Sequence, residues 1–368
     1  MKAADPVEVA ASLVGLHSSD PASVFLSAAA RMGEPSFEAV ESALYDERTI
    51  VRMHGMRRTM WVLPVELAAI VQAACTDAIA LRERRRLEKL LANSGIADSG
   101  AWLEEIGRTT LQMLAERGEA AGAELSRAVP GLSTPLDYGE SRWGGEQPAT
   151  SRVLFQLAAE RRIIRGRPRG SWTSSQYRWA PFDSWLPEGL SDWPTEAAQA
   201  ELARRWLAAF GPATVADLKW WTAWTLGETR RALAETETVE VDLGGGEPGL
   251  VLADDLAPVA APKQWVALLP GLDPSTMGWK ERDWYLGEHG PLLFDSNGNA
   301  GPTVWADGRI VGGWSQRKDA EVVYRLLEDV GSDVVAAVEQ AAARLAEQLG
   351  GTRVAGRFPT PLERELAA

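Results

Sequence analysis

The chain has 368 residues, 45% of them hydrophobic, and a formal net charge of −13 at pH 7. That length and composition suit two or three compact units with sizeable cores and exclude a disordered chain. One cysteine, Cys75, excludes a disulfide framework or a cysteine zinc cluster. No apolar run nears the roughly 20 residues of a membrane span, and the start lacks a signal peptide's apolar centre, so a cytoplasmic protein is expected.

Residues 6–14 read as a short helix that Gly15 ends. In LHSSDP, residues 16–21, Asp20 is placed to cap the next helix and Pro21 to open it, giving a helix to residue 30. His17, Ser18 and Ser19 therefore occupy a turn ahead of a helix N-terminus, where backbone donors and the positive dipole end are available. Ser36 caps a third helix over 37–45. Residues 49–53 and 57–63 read as hairpin strands joined by His54, Gly55 and Met56, with Arg52, Arg57 and Arg58 around the turn. Three helices and a hairpin make a first winged-helix unit. Its span of 1–92 includes a long helix opened by Pro64 and Glu66. The later turns of that helix hold Arg82, Arg84, Arg85, Arg86 and Lys89, partly neutralised by Glu83 and Glu88, and the ordinary reading is a solvated face.

A second winged helix is expected over 93–180, with helices at 102–117, 122–130 and 149–160 and a wing at 161–179. Val153, Leu154, Leu157 and Ala158 recur on one face of the third helix. The glycine-rich loop LDYGESRWGGEQ is expected to pack over this unit. From Arg142 to Arg178 stand eight arginines against two acids, Glu146 and Glu160, and Arg161, Arg165, Arg167 and Arg169 crowd the wing. An arginine-tipped hairpin beside an arginine-rich helix suits a phosphate backbone or a minor groove. The alternative is a solvated loop with snorkelling arginines. The overall acidity works against a polyanion on average, so any nucleic-acid surface must be local.

Residues 180–194 carry three prolines and read as a linker. A third, acidic winged-helix unit is expected over 195–255, with Thr214 and Thr225 as helix caps and strands around Gly244, Gly245 and Gly246; its acids point to scaffolding. From 262 to 350 the pattern turns to a β-rich domain: WVALLP, PLLF, PTVWADGRIVGGW and EVVYRLLEDV read as strands, with Asp307–Gly308 a hairpin signal. A closing helix follows at 334–349, and the tail from Arg353 is expected to be poorly ordered. The fold class is α+β: tandem winged-helix units with a β-rich C-terminal domain.

With three histidines, His17, His54 and His289, and no HxxH or HExxH spacing, no metal site is expected. No glycine-rich loop ends in Gly-Lys-Ser/Thr, and no Gly-x-Gly-x-x-Gly lies between a strand and a helix, so no cofactor is expected. No GxSxG elbow supports a serine nucleophile. The LHSSD turn is left. His17 can accept a proton from water, Ser19 can hold that water, and Asp20 can orient a group or cap the helix. A capped turn with a partly buried histidine is the structural alternative.

The phrases GLHSSDPASVFLSAAAR (15–31), ALYDERTIVRMHGMRRTMWVLP (43–64), FGPATVADLKWW (210–221), LLPGLDPSTMGWKERDW (268–284) and GPTVWADGRIVGGW (301–314) extend across nearly the whole chain. They resemble the winged-helix DNA-binding proteins that include the bacterial alkylpurine and interstrand-crosslink DNA glycosylases, an azinomycin-resistance-glycosylase-like superfamily. The resemblance implies tandem winged helices with a β-rich C-terminal part around duplex DNA. It also implies a monofunctional glycosylase for N7- and N3-alkylated purines without metal or organic cofactor. The family's catalytic pair, glutamine, one residue, then glutamine or aspartate, falls on His17 and Ser19, and Asp20 matches an aspartate that follows the pair. Both His17 and Ser19 depart from that pattern: histidine can replace the glutamine as a water-orienting base, whereas serine cannot replace the second amide or carboxylate charge for charge. The hairpin around His54 resembles the family's groove-probing element, with Arg57 and Arg58 as phosphate contacts.

Three readings follow. The first is a DNA glycosylase using His17, Ser19 and Asp20, with Arg52, His54, Arg57, Arg58, Arg161, Arg165, Arg167 and Arg169 on alkylated double-stranded DNA. The second is a noncatalytic winged-helix DNA-binding or regulatory protein. The third is an acidic protein- or ligand-binding scaffold. No dimer helix is evident, so a monomer is expected.

Overall fold

The computed structural model describes residues 2–139, 145–244, 246–354, 356 and 359–368. Arg142, the middle of the glycine-rich loop and Gly245 lie outside the described residues. The chain divides into two compact units, Met1–Val40 with Ala203–Ala368, and Glu41–Leu202.

In the unit Glu41–Leu202, strands Ile50–His54 and Met60–Pro64 pair antiparallel, Ile50 opposite Pro64 and His54 opposite Met60, and all ten residues are buried. The turn therefore sits further along than the spacing predicts. His54 ends the first strand, and the tip is Met56–Arg58, where Arg57 and Arg58 take left-handed φ values of 57° and 61°. A non-glycine residue seldom sits there, and two arginines in succession store backbone strain at the tip. The long helix runs Val65–Val71, passes through a wider turn at Gln72–Thr76 and continues as Asp77–Asn93. Helix Ser99–Arg117, short strand Ala120–Ala121, helices Gly122–Ala128 and Thr150–Ala159, and strands Ile163–Pro168 and Tyr177–Pro181 follow. The order is helix, strand, helix, helix, hairpin, and Ala120–Ala121 pairs with Tyr177–Pro181. Leu103, Leu114, Leu125, Val153, Leu157 and Trp179 pack its core. The stretch 180–194 differs from a linker in its first part: Phe182–Trp185 is a helix whose Phe182 and Trp185 are buried. Arg48 covers Trp185 at 4.3 Å from the ring centre and donates to its carbonyl at 3.0 Å.

In the other unit, helix Pro21–Ala29 is buried along its whole length. Helices Val215–Thr222 and Leu226–Ala234 begin at Thr214 and Thr225, each in a reciprocal capping box with the acid three residues on. Strands Thr238–Asp242 and Pro248–Leu252 form a hairpin. The strand-rich C-terminal region is a four-stranded antiparallel sheet in the order Val266–Leu269, Thr303–Ala306, Arg309–Gln316, Val322–Leu326. Of PLLF, expected as a strand, the first three residues lie in helix Gly290–Leu293 and only Phe294 is extended; Pro291 serves as a helix opener, and apolar content alone did not separate helix from strand. Within the tail, Thr360 caps helix Pro361–Ala367, and Leu362 is buried, so residues 360–367 are a packed helix where a poorly ordered end was expected. The architecture is α+β.

Candidate active-site turn and nucleic-acid surface

Val14, at φ 53°, and Gly15, at φ 102°, turn the chain from the helix Pro6–Ser12 into the extended pair Leu16–His17. Asp20 then caps the next helix, its Oδ1 accepting from the Ala22 N–H at 3.0 Å, and Pro21 takes the first helical position. His17 is 8% exposed and Ser18 2%, whereas Ser19 is exposed and Asp20 half-buried. The Ser19 backbone N–H donates to His17 Nδ1 at 3.5 Å, the outer limit of a hydrogen bond. In this contact Nδ1 is the accepting nitrogen of the ring.

The helix behind the turn is held by residues 242 to 248 positions away. Ser23 Oγ donates to the Gly271 carbonyl at 2.6 Å and Ser27 Oγ to Asp273 Oδ2 at 2.7 Å. Arg31 grips both oxygens of Asp273, at 2.9 and 2.7 Å, and reaches Ser275 Oγ at 2.8 Å. Asp273 is wholly buried, so this two-bond pair has the geometry that a desolvated carboxylate requires. Glu363 is a neighbour of Asp20: its carboxyl is pushed above the ordinary value by burial, opposed by the hydrogen bonds at Thr360, with the charge of Asp20 adding to the rise. Sequence reading missed Asp273 and Glu363, because no local pattern links either to the turn.

In the unit Glu41–Leu202 the expected DNA-contacting residues divide by environment. His54 is 4% exposed; its ring lies 4.1 Å from that of Phe155, and its carbonyl accepts from Thr76 Oγ1 at 2.8 Å. Burial first, then the charges of Arg165 and Arg58, push its pKa down to about 3. Among the described residues its buried Nδ1 has no hydrogen-bond partner. Arg52 is buried, with its guanidinium 4.7 Å over Tyr177 and within 3.4 Å of the Tyr45 hydroxyl. Arg165 lies over Tyr177 and Trp179, and burial holds it down at about 10. Arg167 pairs with Asp46 at 2.8 Å and Glu41 at 3.6 Å, and Arg169 pairs with Glu124. Arg161 is half-buried at φ 59°. Arg57 and Arg58 stand at the hairpin tip, with Arg58 4.7 Å over Phe155. The tip thus combines strain, cationic charge and an aromatic support, while much of the wing's charge is countered from within the protein.

Residues 10–348 match the family described as DNA glycosylase AlkZ-like. The chain belongs to the AlkZ-like DNA glycosylase family. Its structure is similar to that of the Streptomyces sahachiroi DNA glycosylase AlkZ, with a TM-score of 0.72 and 22% sequence identity over 97% of this chain and 94% of that one. At that identity the likeness is one of fold. No curated protein matches the sequence. Family membership carries DNA glycosylase function and a DNA partner. Among the described residues, no helix is long and apolar enough to cross a membrane, and no group of three or more His, Cys, Asp or Glu side chains is arranged to hold a metal ion.

Proposed function

We propose that the protein is a monofunctional DNA glycosylase that hydrolyses the N-glycosidic bond of N7- and N3-alkylated purines in duplex DNA, with His17 as the water-activating residue. The observation that carries this reading is the His17–Asp20 turn. It puts an imidazole lone pair, an exposed serine and a half-buried carboxylate at the N-terminus of a helix whose own side chains are buried.

Alkylation at N7 or N3 places positive charge on the purine, so the C1′–N bond breaks with its electron pair moving to the base. The base leaves neutral and the sugar becomes an oxocarbenium ion. Asp20 is the group to stabilise that cation. Ser19 holds a water whose oxygen bonds to C1′, and the proton released goes to Nδ1 of His17, displacing the long Ser19 N–H contact. A short hydroxyl at position 19 cannot supply a second carboxylate, so the catalytic load falls on His17 and Asp20. Glu363, beside Asp20, adds negative potential when ionised.

The test is release of free base from duplexes bearing N7-alkylguanine or N3-alkyladenine, followed under single-turnover conditions. Release of the alkylated purine with an abasic site left in an uncut strand is the expected result. Intact DNA across both adduct classes, with duplex binding retained, would overturn the reading in favour of a noncatalytic DNA-binding protein.

A further inference from the structure

We infer that Arg58, Arg82, Arg86 and Arg152 form a phosphate-binding surface that takes the backbone of duplex DNA. This deepens the reading above and rests on DNA being the partner. The four residues come from three places in the sequence: the hairpin tip, the helix Asp77–Asn93 and the helix Thr150–Ala159.

Glu83 is the carboxylate among them. It is 6% exposed, and its two oxygens are already divided, one to Arg58 at 2.9 Å and the other to Arg86 at 2.6 Å. Arg82 is exposed and forms no ion pair among the described residues. Arg152 donates to the Tyr138 hydroxyl at 3.0 Å and lies over that ring at 5.4 Å, with no carboxylate partner among the described residues. The four groups are close enough to act on one another. Arg58 is held below its ordinary value first by burial and, against the pull of Glu83, by the charges of Arg152, Arg86 and Arg82.

Among the described residues, four guanidinium groups against one carboxylate leave a surplus of positive charge on a chain whose net charge is −13. Like charges gathered this way cost stability in the free protein, and a polyanion relieves that repulsion. Aromatic supports favour a phosphodiester over a diffuse counter-ion cloud: Phe155 lies under Arg58 and Tyr138 under Arg152, which fixes the planes of two guanidinium forks before a phosphate arrives. Arg57, at the same left-handed tip, continues the charged edge. In sequence the run Arg82–Lys89 looked like a solvated face. The residues that change that reading, Arg58 and Arg152, are remote from it in the chain.

The experiment titrates the full-length protein against a short labelled duplex across a salt series. It compares wild type, the double variant Arg82→Gln/Arg152→Gln and the wing double variant Arg167→Gln/Arg169→Gln. Each phosphate contact contributes about 0.9 to the slope of log affinity against log salt, so loss of two contacts is expected to lower the slope by about 2 and weaken low-salt binding by roughly 10-fold or more. The wing variant is expected to change the slope much less. Circular dichroism checks folding; if the double variant is unfolded, Arg82→Gln alone, at an exposed side chain, should lower the slope by about 1. An unchanged slope in the Arg82 and Arg152 variants, with duplex binding and base release by the wild type, would overturn this surface and leave the glycosylase reading intact. Failure of the wild type to bind duplex would overturn both.

Discussion

On the wing, Arg167 meets Asp46 and Arg169 meets Glu124. At the hairpin tip and on the helices beside it, Arg58 and Arg86 share Glu83, and Arg82 and Arg152 have no carboxylate partner among the described residues. Both regions belong to the unit Glu41–Leu202, and both are rich in arginine. They differ in what is left for a ligand. Acids from other parts of the chain, Glu41, Asp46 and Glu124, fold back onto the wing and counter its charge. The tip cluster has a surplus that the described residues do not neutralise. Charge available to DNA is therefore a property of the fold, and the density of arginine in a stretch of sequence is a poor guide to it.

The largest expected effect tests the countered side of this contrast at its extreme, the buried Arg31–Asp273 pair in the other unit. Asp273→Ala leaves Arg31 without its two-bond partner and also removes the acceptor of Ser27. Chemical denaturation should show a loss of about 3 to 5 kcal/mol, with the salt slope of duplex binding unchanged in the folded fraction. A loss under about 1 kcal/mol would mean that the pair is not desolvated as its burial implies.

His54 lies between the two arginine sets, acted on by Arg165 of the wing and Arg58 of the tip. Its pKa falls from 6.5 to about 3 on folding, so the unfolded chain binds the proton that the folded protein refuses. Stability from this group is complete above the unfolded pKa of 6.5 and declines as the pH falls towards 3, by up to about 1.4 kcal/mol per pH unit. His54→Phe should flatten that acid limb. If the variant's stability falls with pH as steeply as the wild type's, other groups control the limb.

The smallest effect belongs to the wing. Arg167→Gln removes a pair that is 43% and 64% exposed on its two sides, so stability should change by less than about 1 kcal/mol, as read by the thermal midpoint. A larger loss would make the wing a structural clasp between segments.

Much of this was legible in sequence where the signal is local. Asp20 with Pro21, Thr214 and Thr225 mark helix starts by their own chemistry, and the structure gives each the expected cap. The hairpin at residues 50–64 was legible as a hairpin but not in its turn. Its position depends on Arg57 and Arg58 taking left-handed dihedrals, which no composition rule anticipates. Residues 182–185 looked like linker because prolines surround them, yet Trp185 is buried under Arg48, 137 positions earlier. The LHSSD turn was legible as a turn ahead of a capped helix, because Asp20 and Pro21 mark the helix start. The clamp that holds this helix, Arg31 with Asp273, and the nearness of Glu363 to Asp20 join residues hundreds of positions apart. No pattern along the chain reveals them.

The central claim is that His17 activates water in this turn, and single-turnover base release from an N7-alkylguanine duplex tests it most directly, with wild type and His17→Ala side by side. The account predicts release by the wild type and a rate lower by about 10²- to 10⁴-fold in His17→Ala, with duplex affinity retained. Equal rates in the two proteins would contradict it and move the chemistry to other residues of the glycosylase.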